Sequence, residues 1–114
     1  MANPENYKIF VHWYKTMDWI LDKCEKMPVN TRFTISNRMG ALCVENIELL
    51  VEAIYRSNRR AYLESFNMNL EKLRVFFRIC HERRYISHEQ YRYIATEINE
   101  AGKMCGGWLK SCAQ

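Results

Sequence analysis

Five residues of types that bind metals or move protons fall within one short stretch, RICHERRYISHEQY: Cys80, His81, Glu82, His88 and Glu89. A structural zinc site takes four ligands, often in pairs at short spacing. Here only Cys80, His81 and His88 cluster as ligands. The di-iron pattern of helix bundles needs Glu-x-x-His on two helices together with further inward glutamates. HEQYRY is not HExxH either, because position 92 is arginine. Nucleophilic catalysis wants a nucleophile and a base held together in an elbow or glycine-rich loop, and the chain has neither motif. His12 reads as a solvated residue on the outer side of its helix. No catalytic residue, cofactor or metal is therefore expected.

The arginines remain to be explained. Arg56, Arg59 and Arg60 cluster at one turn, and Arg83 and Arg84 close a helix, where its dipole favours cations. Arg74 and Arg78 stand one helical turn apart, a spacing at which like charges repel slightly. Glu71 and Glu82 lie close enough to compensate part of this charge. Taken singly, each arginine reads as a solvated face residue. Together they make phosphate-backbone binding without base specificity the functional reading drawn from the residues.

Four helices with short turns must position these groups. Residues 5–26 carry Tyr7, Phe10, Tyr14, Met17, Leu21 and Cys24 at intervals of three and four, the helical period. Pro28, which has no amide hydrogen, stops that helix. Residues 32–56 form a second helix whose apolar members, Ile35 to Ile54, cover more than half its circumference. One apolar face is enough in a lone small bundle, so part of this helix is expected against another subunit. Ser57 and Asn58 mark the next turn. Residues 60–84 then place Leu63, Phe66, Leu70, Leu73, Phe77 and Cys80 on one seam, with Val75 and Ile79 on another side.

The fourth helix, residues 88–111, opens with Ser87 as N-cap and Gln90 three later, a capping box flanked by the staple pair Ile86 and Tyr91. Its seam runs Tyr91, Ile94, Ile98, Ala101, Cys105, Trp108 and Leu109. The fold expected is an all-α, antiparallel up-down-up-down four-helix bundle, a single domain over residues 1–114. Trp19 lies off the first seam, beside His12, Thr16 and Lys23. A subunit contact is its first explanation, simple exposure the second and base stacking the third.

Composition agrees with one globular unit: 114 residues, 48% apolar and 26% charged. The formal charge is +4. It is uneven, with eight Lys/Arg against three Glu between Tyr55 and Arg84, but four lysines against four acidic residues between Glu5 and Lys26. That distribution suits an anionic partner. Five widely spaced cysteines without a CxxC, and no apolar leader, point to reduced thiols and a cytoplasmic location. No apolar run approaches a membrane span.

At LEKLRVFFRICHERRYISHEQYRYIATEINEAGKMCGGWLKS, with the earlier MPVNTRFTISNRM, the sequence resembles the accessory variability (Avd) family of diversity-generating retroelements. That family is related to the four-helix proteins encoded in ribosomal-RNA intervening sequences. The resemblance spans about Tyr14 to Ser111. It implies a barrel-shaped homopentamer with a basic surface, bound to the element's reverse transcriptase and its template RNA and supporting mutagenic retrohoming. The arginines it implicates lie in LRVFFRI, giving Arg74 and Arg78. The small-small-Trp pattern matches GGWL, Gly106 to Leu109. A charge of +4 is modest for the family. The intervening-sequence relatives carry the other reading, a structural or protein-interaction bundle whose arginines are only solvated.

Overall fold

The computed structural model describes residues 3–112, and among these the regular structure is entirely helical. Four long helices run Lys8–Lys26 (α1), Asn37–Tyr55 (α2), Arg59–Glu82 (α3) and His88–Ser111 (α4). Each packs on its chain neighbour, and α4 closes back onto α1, so α1 and α3 lie diagonally. This is the expected up-down-up-down bundle, a rod of 44 × 21 × 21 Å.

The helix ends follow local chemistry. Pro4 sits in a short 3-10 turn, Pro4–Asn6, where the Asn3 side chain accepts from the Glu5 amide, so α1 starts at Lys8 instead of Glu5. Before α2 the chain makes a 3-10 turn, Val29–Thr31, and then a π-helical turn, Arg32–Ser36. Thr31 and Ser36 are buried there, and the Thr31 hydroxyl donates to Ser36 Oγ at 3.2 Å. The capping box of α4 forms as expected: Gln90 N–H donates to Ser87 Oγ at 3.1 Å, and Ser87 N–H to Gln90 Oε1 at 2.8 Å. α3 ends in a Schellman motif, with Arg84 N–H donating to the His81 carbonyl and Tyr85 N–H to that of Cys80. Arg84 takes the left-handed position at φ 63°.

The core is built from the expected seams of α3 and α4: Leu63, Phe66, Leu70, Leu73, Phe77 and Cys80 meet Ile94, Ile98, Ala101 and Cys105, all buried. The seam of α1 is different. Ile9, Trp13, Thr16 and Ile20 are buried, whereas Tyr14 is 59% exposed and Phe10, Met17 and Leu21 lie at the margin. The expected seam is shifted by one residue, which turns the helix by about 100°. Trp13 and Ile20 decide this, since fully burying such a side chain contributes about 1.5–3 kcal/mol. Trp13 stacks edge-on against Phe66 at 5.5 Å, and its indole N–H donates to the Cys43 carbonyl at 3.0 Å. Thr16 tolerates burial because its hydroxyl donates to the His12 carbonyl one turn back.

The same rotation corrects two further expectations. His12 is not solvated: it turns toward α4, with Nε2 3.0 Å from the Glu97 carbonyl and 3.7 Å from its carboxylate. Trp19 packs within the chain, 5.2 Å from Tyr93 and 6.4 Å from Phe77, with the Lys23 ammonium 5.3 Å over its ring.

Between α2 and α3 lies a buried polar pair. Asn69 Nδ2 donates to Asn46 Oδ1 at 3.0 Å and to Glu45 Oε1 at 2.8 Å, while Asn46 Nδ2 donates to the Phe66 carbonyl at 3.3 Å. Both asparagine side chains are thus satisfied in the core.

Candidate functional site

The seven arginines do not converge on one point. Arg56, Arg59 and Arg60 occupy the α2–α3 end of the rod, and Arg83 and Arg84 the α3–α4 end. About 36 Å of helix separates Arg60 from Arg84. Arg74 and Arg78 lie on α3 between them.

Most of these groups already have partners. The Arg56 guanidinium is paired with Glu52, and hydrogen bonding to that carboxylate raises the pKa of the guanidinium. Arg59 lies 5.5 Å over the Trp108 ring, which stacks in turn on Tyr7 at 5.1 Å. Arg60 bonds Glu64 and the Leu109 carbonyl, both at 3.3 Å. Arg74 pairs with Glu71 at 3.0 Å and donates from Nε to Asn99 Oδ1 at 3.3 Å. It crosses α4 at Gly102, where an added Cβ would stand 3.3 Å from Arg74 Nη2. The missing side chain makes that crossing possible. Arg83 donates to the Tyr85 hydroxyl at 2.8 Å, which raises its pKa, and lies 5.6 Å over that ring.

Two of the seven differ. Arg78 and Arg84 are exposed, and among the described residues neither side chain has an ion-pair, hydrogen-bond or ring partner. Exposed ion pairs contribute only about 0–1 kcal/mol, so the paired arginines can change partner. Arg78 and Arg84 have no such side-chain partner to give up.

Residues 7–112 match the family model described as bAvd-like. The chain belongs to the bAvd-like family. This is the family the sequence resembles, the Avd proteins associated with diversity-generating retroelements, and the match takes in all four helices. No curated protein matches the chain.

The remaining chemistry of this bAvd-like bundle is quiet. Burial pushes the thiols of Cys24, Cys80 and Cys105 up to about 11 and that of Cys43 up to about 12. Protonated thiols are poor nucleophiles and poor ligands. Among the described residues, no group of three or more His, Cys, Asp or Glu is placed to hold a metal ion. No described helix is long and apolar enough to cross a membrane.

Sequence reasoning missed how the RICHERRYISHEQY corner folds together. His81 stacks flat on Tyr91, 4.5 Å apart with 6° between the planes. Its Nε2 lies 3.4 Å from Nδ1 of His88. One signal was legible: the capping box places His88 at the first helical position, directly across the turn from the end of α3.

Outside the core, α2 and α3 carry matching stripes. Ala41, Val44, Glu48, Val51 and Tyr55 are spaced by three and four along the outer side of α2, and all but Glu48 are apolar or aromatic. Ala61, Ser65, Met68, Lys72 and Val75 share this spacing on α3, three of them apolar, with Ser65 and Lys72 between. Met68 is 57% exposed and Val75 48%. Because α2 and α3 are neighbours, the two stripes lie on adjoining surfaces.

Proposed function

We propose that this chain is a non-enzymatic, nucleic-acid-binding accessory protein of a diversity-generating retroelement, a single-domain bundle that works in the cytoplasm. It binds the element's template RNA and associates with its reverse transcriptase in mutagenic retrohoming. The observation that carries this reading is the unpartnered charge of Arg78, on an arginine-rich third helix, and of Arg84, in the turn that follows it, in a chain of the Avd family. A guanidinium is suited to phosphate, which it can grip with two N–H donors. The partnered residues Arg56, Arg59, Arg60, Arg74 and Arg83 flank this charge along the rod and reinforce it by exchanging partners.

The exposed apolar residues on the outer sides of α2 and α3 support a homo-oligomer, and the family resemblance supports five members. A ring would repeat the arginine line once per protomer and strengthen binding by multivalency. A second reading is favoured by the existing partners of Arg56, Arg60 and Arg74: a protein-interaction bundle of the intervening-sequence type, with its charge balanced internally.

Binding of a labelled single-stranded RNA at low ionic strength decides between them. Arg78→Gln and Arg84→Gln are each expected to weaken binding several-fold, and Arg56→Gln much less. Unmeasurable affinity, or affinity indifferent to Arg78 and Arg84, would favour the second reading.

A further inference from the structure

The α3–α4 corner holds an arrangement that neither folding nor a general basic surface explains. A shallow surface recess of about 610 Å³ lies there, and its walls come from the end of α3, the turn and the start of α4. Among the residues lining it are His81, Glu82, Arg84 and His88. The two imidazoles face each other nitrogen to nitrogen at 3.4 Å, and the flat stack on Tyr91 fixes the ring of His81.

Arg84 supplies an independent observation. Its place in the Schellman motif is left-handed, at φ 63°, and it is the one non-glycine residue with positive φ among the described residues. Glycine takes this position at no steric cost, and other residues are disfavoured there. An arginine at this position strains the backbone, and Arg84 is exposed, has no side-chain partner and lines the recess. Strain of this sort is kept where the side chain has a use.

We propose that His81, His88 and Arg84 form a phosphate-binding site in which the imidazole pair, on taking up a proton, adds one phosphodiester contact of the bound nucleic acid to the contact that Arg84 makes alone. This rests on the nucleic-acid reading above and adds to it a particular site and its regulation. With one proton between them, one facing nitrogen donates and the other accepts, and the pair is satisfied internally. A second proton sets two N–H donors against each other. An oxyanion entering the recess relieves that conflict by accepting from both, with the Arg84 guanidinium beside it. Proton uptake and phosphate binding therefore reinforce each other, and the coupling is reciprocal.

The surrounding charges permit this. On α3, His81 has Arg78 one turn back and Glu82 beside it. On α4, Glu89, Tyr91 and Arg92 follow His88, and at the turn Arg83 is engaged with Tyr85. Four arginines (78, 83, 84 and 92) against two glutamates (82 and 89) give the corner a formal charge of +2, which a proton taken up by the histidine pair raises to +3. Neither glutamate is ion-paired to this cluster, so both stay solvated and compete only weakly. His12, the third histidine, is on α1 and engaged with Glu97.

The test uses the full-length protein and a fluorescein-labelled oligouridylate, with affinity measured over a range of salt at about pH 8 and about pH 5.8, on either side of the usual imidazole transition. For the wild type, the slope of log affinity against log salt should steepen by about 0.7 at the lower pH, as expected for one further single-strand phosphate contact. His88→Gln should abolish the increment and His12→Gln should keep it. Arg84→Gly should weaken binding several-fold at the lower pH while its thermal midpoint stays the same or rises, which excludes misfolding as the cause. Equal wild-type slopes at the two pH values, or an increment surviving His88→Gln, would overturn the site. So would an Arg84→Gly variant that binds like the wild type at pH 5.8. Failure to bind at pH 8 as well as pH 5.8 would overturn the nucleic-acid reading itself. Binding at both with no pH increment would overturn only this site.

Discussion

Burial decides the character of the individual side chains more than their type does. Five cysteines and three histidines look reactive in a sequence of this length. Four of the thiols are instead desolvated by packing and held in the protonated form. Each has a folded pKa of about 11 or 12 against an ordinary 9.0. The unfolded chain thus releases these protons first. The stability they contribute is complete below pH 9.0 and is lost as pH rises toward 11–12. Chemical denaturation followed from neutral to alkaline pH should show stability falling through that window, and Cys43→Ala or Cys105→Ala should reduce the pH dependence. Thiol-reactive dyes should label the buried Cys43, Cys80 and Cys105 of the folded protein slowly at neutral pH, at rates set by opening of the bundle.

At the scale of the element, the seams of α3 and α4 were legible because their large apolar residues recur with the helical period and few other positions compete. The fourth helix also announced its start through Ser87 and Gln90. The α1 seam was not legible in the same way, because apolar and aromatic residues occupy two adjacent faces of that helix. A threonine satisfied by its own backbone, Thr16, then sits inside where a polar residue is expected outside. The Asn46–Asn69 pair escaped for a related reason: a period identifies buried positions but not which polar groups will find each other across them. That pair ties α2 to α3 through a hydrogen bond in the core. Asn69→Ala strands the Asn46 carbonyl oxygen in the core and should lower stability by about 1–3 kcal/mol. The double replacement Asn46→Leu with Asn69→Leu removes both partners and should recover much of that loss in a urea unfolding curve. A double variant as unstable as Asn69→Ala alone would show that packing volume, and not an orphaned polar group, controls the site.

For the whole molecule, the division of labour runs around the rod. The inner seams hold the bundle together, the outer stripes of α2 and α3 leave apolar surface uncovered, and the arginines line α3 and its two ends. Self-association through the stripes places Val51 and Val75 in an interface, so Val51→Glu should yield a smaller particle by solution mass measurement without loss of helical signal. A wild-type protein that is monomeric at micromolar concentration would remove the oligomeric part of the proposal. The seven candidate arginines were readable from the sequence as a group. Their ranking was not, because it depends on cross-helix partners such as Asn99, Trp108 and the Leu109 carbonyl. Of these seven, the structure leaves Arg78 and Arg84 without a side-chain partner among the described residues.

The central claim is that this unpartnered charge grips a nucleic-acid backbone, and it is tested most directly by the salt dependence of RNA binding at pH 8. The wild type should show a linear fall in log affinity with log salt, and Arg78→Gln with Arg84→Gln should flatten that slope by about 0.7 for each phosphate contact removed. A slope of zero, or one that the double variant leaves unchanged, would contradict it.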